Sequence, residues 1–166
     1  ELKSKNAQLS KELHKKNMET ILVTGGLGYI GSSLLKSLQK NYRLVCIDDC
    51  NFNNYKIRHK LSKKIKFFKE SISNDKILKK IFKNYSIKKV IHLAAIVGEP
   101  ACNKDPKHSY IINYNSSKKI FDLSVKYEVN RFVFVSTCSN YGKNKKSFVS
   151  EKSKLLPLSP YSLAKV

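Results

Sequence analysis

The sequence has no tryptophan, one methionine, four prolines and six glycines in 166 residues. So little glycine and proline excludes collagen-like and linker-type chains. No apolar run approaches the roughly 18 residues of a membrane helix. The four cysteines (Cys46, Cys50, Cys102 and Cys138) form no CxxC pair, which argues against a zinc site and against a disulfide framework. Four reduced thiols, and a first stretch without the apolar core of a secretory signal, predict a cytoplasmic protein that holds no metal. Acidic side chains are scarce, 12 against 33 basic ones, for a net charge of +21. All the basic residues except Arg43, Arg58 and Arg131 are lysines. A field of that sign attracts polyanions, but nucleic-acid readers favour arginine for bidentate contacts. Here the lysines are spread over nearly every segment. They read as a solvated surface, with no specific nucleic-acid or membrane partner.

What is present is a globular composition, with 41% hydrophobic residues at a one-domain length. Residues 1–17 differ from the rest. They are lysine-rich and polar, and are read as an extension ahead of Met18 or as a linker. From Thr20 on, strands and helices alternate. Strands are predicted at Ile21–Thr24, Arg43–Asp48, Ile65–Lys69, Lys89–Ala94 and Arg131–Ser136. Helical spacing runs over Tyr29–Lys40, Asn74–Asn84 and Pro106–Tyr127. Ser159 reads as an N-cap with Pro160 at the first helical position. This alternation predicts an α/β fold: a doubly wound parallel sheet with right-handed crossovers. The domain is expected over 18–166 and to be incomplete at its C-terminal side, since Val166 falls early in the last helix.

Three segments carry chemistry. Thr24–Gly31 reads TGGLGYIG, after a strand and at the start of a helix, the context of a dinucleotide fingerprint. Gly25 suits the tight turn, Gly28 the approach of a pyrophosphate, and Gly31 close helix packing. The second strand ends in Asp48-Asp49. Asp48 lies where a carboxylate binds ribose hydroxyls and repels a 2′-phosphate, which favours NAD over NADP. The fifth strand leads into Ser136 and Thr137, and Tyr161 and Lys165 follow with YxxxK spacing. On one helix face, the ammonium would lower the phenol's pKa and make Tyr161 a base. His92, within the fourth strand, reads as a packed strand histidine.

Together TGGLGYIGS, IDD, VIHLAAIVGEPAC, VSTCSNYG and PYSLAK resemble the extended short-chain dehydrogenase/reductases, in particular the NAD-dependent sugar-nucleotide epimerase/dehydratase group. The resemblance implies a Rossmann-type sheet of order 3-2-1-4-5, and NAD as cofactor. It implies that Gly25, Gly28, Tyr29, Ile30 and Gly31 cradle the pyrophosphate. Asp48 and Asp49 would take the adenosine ribose, and Ile72, Leu93, Ala94 and Ala95 would line the cofactor. Asn113 and Ser136 would lie near the site. Thr137 would bond the reacting sugar hydroxyl, Tyr161 would be the base, and Lys165 would bind the nicotinamide ribose and tune Tyr161. Two departures stand out. Ser71 occupies the place of an aspartate that contacts adenine, and Cys138-Ser139 replace the Asp-Glu that dehydratases use to eliminate water. The resemblance therefore implies epimerisation of a nucleotide-sugar, with a dehydratase, a reductase or a non-catalytic dinucleotide-binding protein as alternatives. It further implies a homodimer for the longer protein, and little or no activity in this stretch alone.

Overall fold

The computed structural model describes residues 18–52, 54–143 and 148–166. The extension at 1–17 lies outside the described residues. Five parallel strands form one sheet in the order β3-β2-β1-β4-β5. They are β1 (Thr20–Thr24), β2 (Arg43–Asp48), β3 (Lys66–Lys69), β4 (Ile87–His92) and β5 (Arg131–Phe134). Helix α1 (Tyr29–Leu38) follows β1, and α2 (Asp75–Asn84) follows β3. Between β4 and β5 come α3 (Glu99–Lys104), α4 (Pro106–Tyr110), a π turn (Ile111–Ser116) and α5 (Ser117–Lys126). The last helix is α6 (Pro160–Leu163). Among the described residues, no helix is long and apolar enough to cross a membrane.

The two-residue period of β1 builds both faces of the core. Leu22 points to one face, with Val45, Val90, and Leu78, Ile81, Ile120 and Leu123 of α2 and α5. Ile21 and Val23 point to the other, with Leu35 of α1, Leu27, Leu44 and Cys46. Each fully buried leucine here contributes about 1.5–3 kcal/mol relative to exposure. Asn74 caps α2 by accepting the Ile77 N–H at 3.3 Å, and Lys119 of α5 reaches Asp75 at 2.8 Å.

Three differences from the sequence expectation bear on the site. The β4 ladder stops at His92, and the chain beyond it leaves the sheet through Leu93, whose N–H bonds the Thr24 carbonyl at 3.2 Å. β5 stops at Phe134, before Ser136. The expected single helix over 106–127 is interrupted by the π turn, where Ser116 Oγ donates to the Ile111 carbonyl at 2.8 Å. An extra residue in the turn frees one side chain from the helical register, and Asn113 is the side chain this turn holds inward, fully buried.

Candidate functional site

The carboxyl ends of β1, β2 and β4 open into a cavity of about 830 Å³. Gly25, which starts the loop after β1, has φ +67°, and a Cβ there would meet the Ala94 backbone nitrogen at 2.7 Å. Only glycine fits both the backbone and the space. At Gly31 a Cβ would meet the Gly26 Cα at 2.6 Å, so α1 seats directly on the loop. Gly28, Tyr29 and Ile30 line the cavity with these two glycines, and Tyr29 and Ile30 are exposed. The loop's amides open at the start of α1, a favourable place for an anion.

Asp48 closes the opposite lip. It is 8% exposed; its Oδ2 accepts the Leu27 N–H at 2.9 Å and its Oδ1 the Cys50 N–H at 2.9 Å. The same carboxylate therefore braces the glycine loop and turns the chain after β2. Cys50 takes a left-handed φ of 62° there, a conformation that costs a non-glycine residue about 1–3 kcal/mol. The Cys46 thiol is pushed up to about 12 by burial and by the Asp48 charge, so it stays protonated. Asp49, Ile72, Leu93, Ala94 and Ala95 also line the cavity.

Two residues singled out in the sequence stand just off the cavity wall. Ser71 is absent from the cavity wall and bonds Ser73 Oγ at 2.9 Å instead. Its neighbour Glu70 is the carboxylate that lines the wall. The rule that singled out Asp48, an acid at the carboxyl end of a strand, also finds Glu70 at the end of β3. Asn113 does not line the cavity. Its Oδ1 accepts the Ile96 N–H at 2.8 Å and its Nδ2 donates to the Ile96 carbonyl at 2.9 Å, clamping the cavity-lining Ile96 from behind. Lys104, Asp105 and His108 also face the cavity. No local sequence pattern marks them, because only the packing of α3 and α4 brings them there.

The second set of predicted residues lies outside that cavity. Ser136 Oγ donates to the Lys165 carbonyl at 3.1 Å, and Thr137 Oγ1 accepts the Ser139 N–H at 3.2 Å. Tyr161 sits in α6, which Ser159 and Ser162 hold in a reciprocal cap. Tyr161 lies within α6, and Lys165 lies two residues past its last one. α6 ends at Leu163, and the Lys165 N–H tightens onto the Ser162 carbonyl at 3.1 Å, three residues back. The Lys165 ammonium lies 4.6 Å from the Phe134 ring centre. Burial lowers its pKa to about 8. The Tyr161 phenol is shifted up rather than down, by burial and then by the Cys102 and Cys138 thiols. The expected tuning of tyrosine by lysine is therefore absent from this arrangement, because the ammonium faces an aromatic ring rather than the phenol oxygen.

Residues 21–166 match the family described as NAD dependent epimerase/dehydratase. The chain is 32% identical to a UDP-glucose 4-epimerase of Halalkalibacterium halodurans, with 88% of this chain and 43% of that protein covered. It is 26% identical to UDP-arabinose 4-epimerase 1 of Arabidopsis thaliana, over 92% of this chain and 38% of the relative. Among solved structures it superposes on the UDP-glucose 4-epimerase of Thermotoga maritima, crystallised with UDP-glucose. The TM-score there is 0.78 and the identity 32%, with 88% of this chain and 47% of that one covered. The chain thus spans about two-fifths of the length of the curated relatives it matches.

Proposed function

Since this chain belongs to the NAD-dependent epimerase/dehydratase family, we propose that it forms the cofactor-binding part of an enzyme that epimerises a UDP-sugar at carbon 4, with NAD as resident cofactor. The observation that carries the reading is the cavity of about 830 Å³, a volume typical of ligand sites. Its walls are bare backbone at Gly25 and Gly31, and a carboxylate at Asp48. These residues fit a dinucleotide: the loop amides suit the pyrophosphate, and the Asp48 oxygens suit ribose hydroxyls while repelling a 2′-phosphate. The strip Ala94–Ile96 presents small or apolar side chains toward the flat rings.

Bound NAD supplies a hydride acceptor and donor for the sugar carbon. The chain's own residues handle the proton. Tyr161 Oη takes it from the sugar hydroxyl, and Thr137 Oγ1 orients that hydroxyl. Tyr161 does this near neutral pH only when a cation stands beside its oxygen, so the Lys165 ammonium must leave Phe134 and turn toward the phenol. The segment Thr137-Cys138-Ser139 offers no carboxylate for eliminating water, which favours epimerisation over dehydration. Tyr110, Tyr114, Phe121 and Val125 are exposed along the π turn and its flanking helices, which supports a homodimer packed through this segment.

The test is calorimetric titration of the chain with NAD and with NADP, beside Asp48→Ala. Binding of NAD, at least tenfold weaker for NADP and for the variant, supports the reading. NADP bound as tightly as NAD overturns the role of Asp48. The activity itself is tested by following UDP-glucose and UDP-arabinose epimerisation with the full-length gene product. No turnover of either sugar rejects the substrate assignment.

A further inference from the structure

His92 is a titratable side chain that the proposed chemistry does not use, and it is fully buried at the end of β4. It stands opposite Thr24 in the sheet register. Nδ1 lies 2.7 Å from Thr24 Oγ1, and Nε2 lies 2.8 Å from Ser117 Oγ. The hydrogen positions follow from the partners. Ser117 has one hydroxyl proton, and it goes to the Asn113 carbonyl at 2.7 Å. Ser117 Oγ can then only accept from His92, so the ring proton sits on Nε2. Nδ1 is left as a bare lone pair, and Thr24 donates its hydroxyl proton to it. Thr24 Oγ1 in turn accepts the Ala94 N–H at 3.2 Å. One directed chain results: Ala94 N–H to Thr24, Thr24 O–H to His92, His92 Nε2–H to Ser117, and Ser117 O–H to the Asn113 carbonyl.

One end of this chain is at the cavity wall, and the other is at Asn113, which holds the wall residue Ile96 from behind. Thr24 immediately precedes Gly25, and Ala94 is the residue against which Gly25 packs. Asn113 clamps Ile96 through both of its side-chain groups. The strip Ala94–Ile96 is thus fixed at one end through Thr24 and at the other through Asn113, with the imidazole as the hub. Phe134 stacks on the ring at 5.9 Å and Phe132 lies tilted at 6.3 Å, so the imidazole is packed against β5 as well as hydrogen-bonded at both nitrogens. Burial, with the Lys165 charge added, keeps the imidazole neutral down to about pH 3, and the neutral ring is the form this directed chain requires.

We propose that His92, held as its Nε2–H tautomer, is a positioning residue for the cofactor. It sets the Ala94–Ile96 strip against Gly25, so that dinucleotide affinity depends on its Nδ1 lone pair. The part concerning affinity rests on the NAD reading given above. A merely structural histidine would affect stability and leave the affinity of the folded chain unchanged.

The experiment compares two isosteric variants of the chain, with the native chain as reference. His92→Asn offers a carbonyl oxygen where Nδ1 stood and can still accept from Thr24. His92→Gln offers an amide where Nε2 stood and leaves Thr24 without an acceptor. Both are expected to lower the urea midpoint by similar amounts. NAD affinity, measured where each variant is folded by circular dichroism, is expected to stay within about threefold of native for His92→Asn. For His92→Gln it is expected to fall at least tenfold, because Thr24 and the Ala94 amide it holds are then no longer set against Gly25 when the dinucleotide binds. Equal NAD affinity in both variants overturns the proposal. Failure of the native chain to bind NAD would reject the reading of the cavity, and two further readouts then decide on His92. Nitrogen-15 spectra of the native chain must show a protonated Nε2 and an unprotonated Nδ1 at pH 7. Hydrogen exchange at the Ala94 amide must quicken at least tenfold in His92→Gln and not in His92→Asn. The opposite tautomer, or an unchanged Ala94 amide, overturns the proposal.

Discussion

Residues 20–96 and residues 131–166 both carry predicted site residues, but they are held by different means. In the first region, β1 has a hydrogen-bonded neighbour on each side, the glycine loop leans on Ala94, and the Asp48 carboxylate is tied to two backbone amides. Every predicted cofactor residue in this region lines one cavity. In the second region, among the described residues, β5 has β4 on one side and no strand on the other, and Val133 and Val135 are 42% and 40% exposed. Thr137 and Ser136 bond locally or to the Lys165 backbone, and the Lys165 ammonium faces Phe134 instead of Tyr161. The difference shows what each kind of site requires. The cradle is closed by contacts between neighbouring strands and the loops that join them, so it forms wherever those strands pair. The residues proposed to handle the proton come from separate loops, and their rotamers depend on what packs over them.

The comparison can be broken or sharpened experimentally, and the largest effect should come from acid. His92 stays neutral in the folded chain down to about pH 3, whereas an unfolded histidine protonates near 6.5. Unfolding therefore takes up a proton between these values. Stability falls as pH drops through this window, by at most about 1.4 kcal/mol per unit. Urea midpoints from pH 7 to 4 check this, and His92→Gln should flatten the slope. Next is Gly25→Ala, which forces a left-handed alanine onto the Ala94 backbone. It should lower NAD affinity about a hundredfold and stability by about 2–3 kcal/mol, read by calorimetry and urea unfolding. A milder loss would mean that the first region is less tightly built than its geometry shows.

Lys165→Met probes the second region and should act in the opposite direction. With the lysine pKa lowered to about 8 in the folded chain, the buried ammonium burdens the folded state below pH 8, and stability rises between pH 8 and 10.5. Removing the charge should add about 1–3 kcal/mol at pH 7, read by urea unfolding. A destabilised variant would show that Lys165 is already engaged in a favourable pairing. Asp48→Ala should weaken NAD about tenfold, since it removes charge-assisted bonds to two amides as well as the acceptor for ribose. Lys119→Ala, which cuts the bridge from α5 to Asp75, should change stability by less than about 0.5 kcal/mol.

Much of the first region was legible because its signals are local. The glycine spacing, the acid at the end of β2 and the alternation of strands follow from backbone sterics and burial periods that act over a few residues. The π turn was not legible. Helical spacing over 106–127 is continuous, and the reason for the extra residue lies in Ile96, seventeen positions away from Asn113. Glu70 lies at the end of β3 and lines the cavity, while the family's aspartate position is held by Ser71, so the acid at this strand end is one residue away from where the family pattern looks for it. The YxxxK spacing places Tyr161 and Lys165 near each other in the chain, but the ring over which the Lys165 ammonium lies, Phe134, comes from β5.

The order of the strands, the glycine and acid positions around the cavity and the family were legible in the sequence alone, since pattern and motif suffice where each contact joins adjacent elements. The tertiary structure alone decided which atoms face each other. It turned Asn113 away from the cavity, set Lys165 over Phe134, and placed His92 between two hydroxyls so that one tautomer fits. These outcomes depend on side chains brought together from distant segments. A hydrogen bond takes its direction from every partner at once, and no local stretch of sequence contains them all.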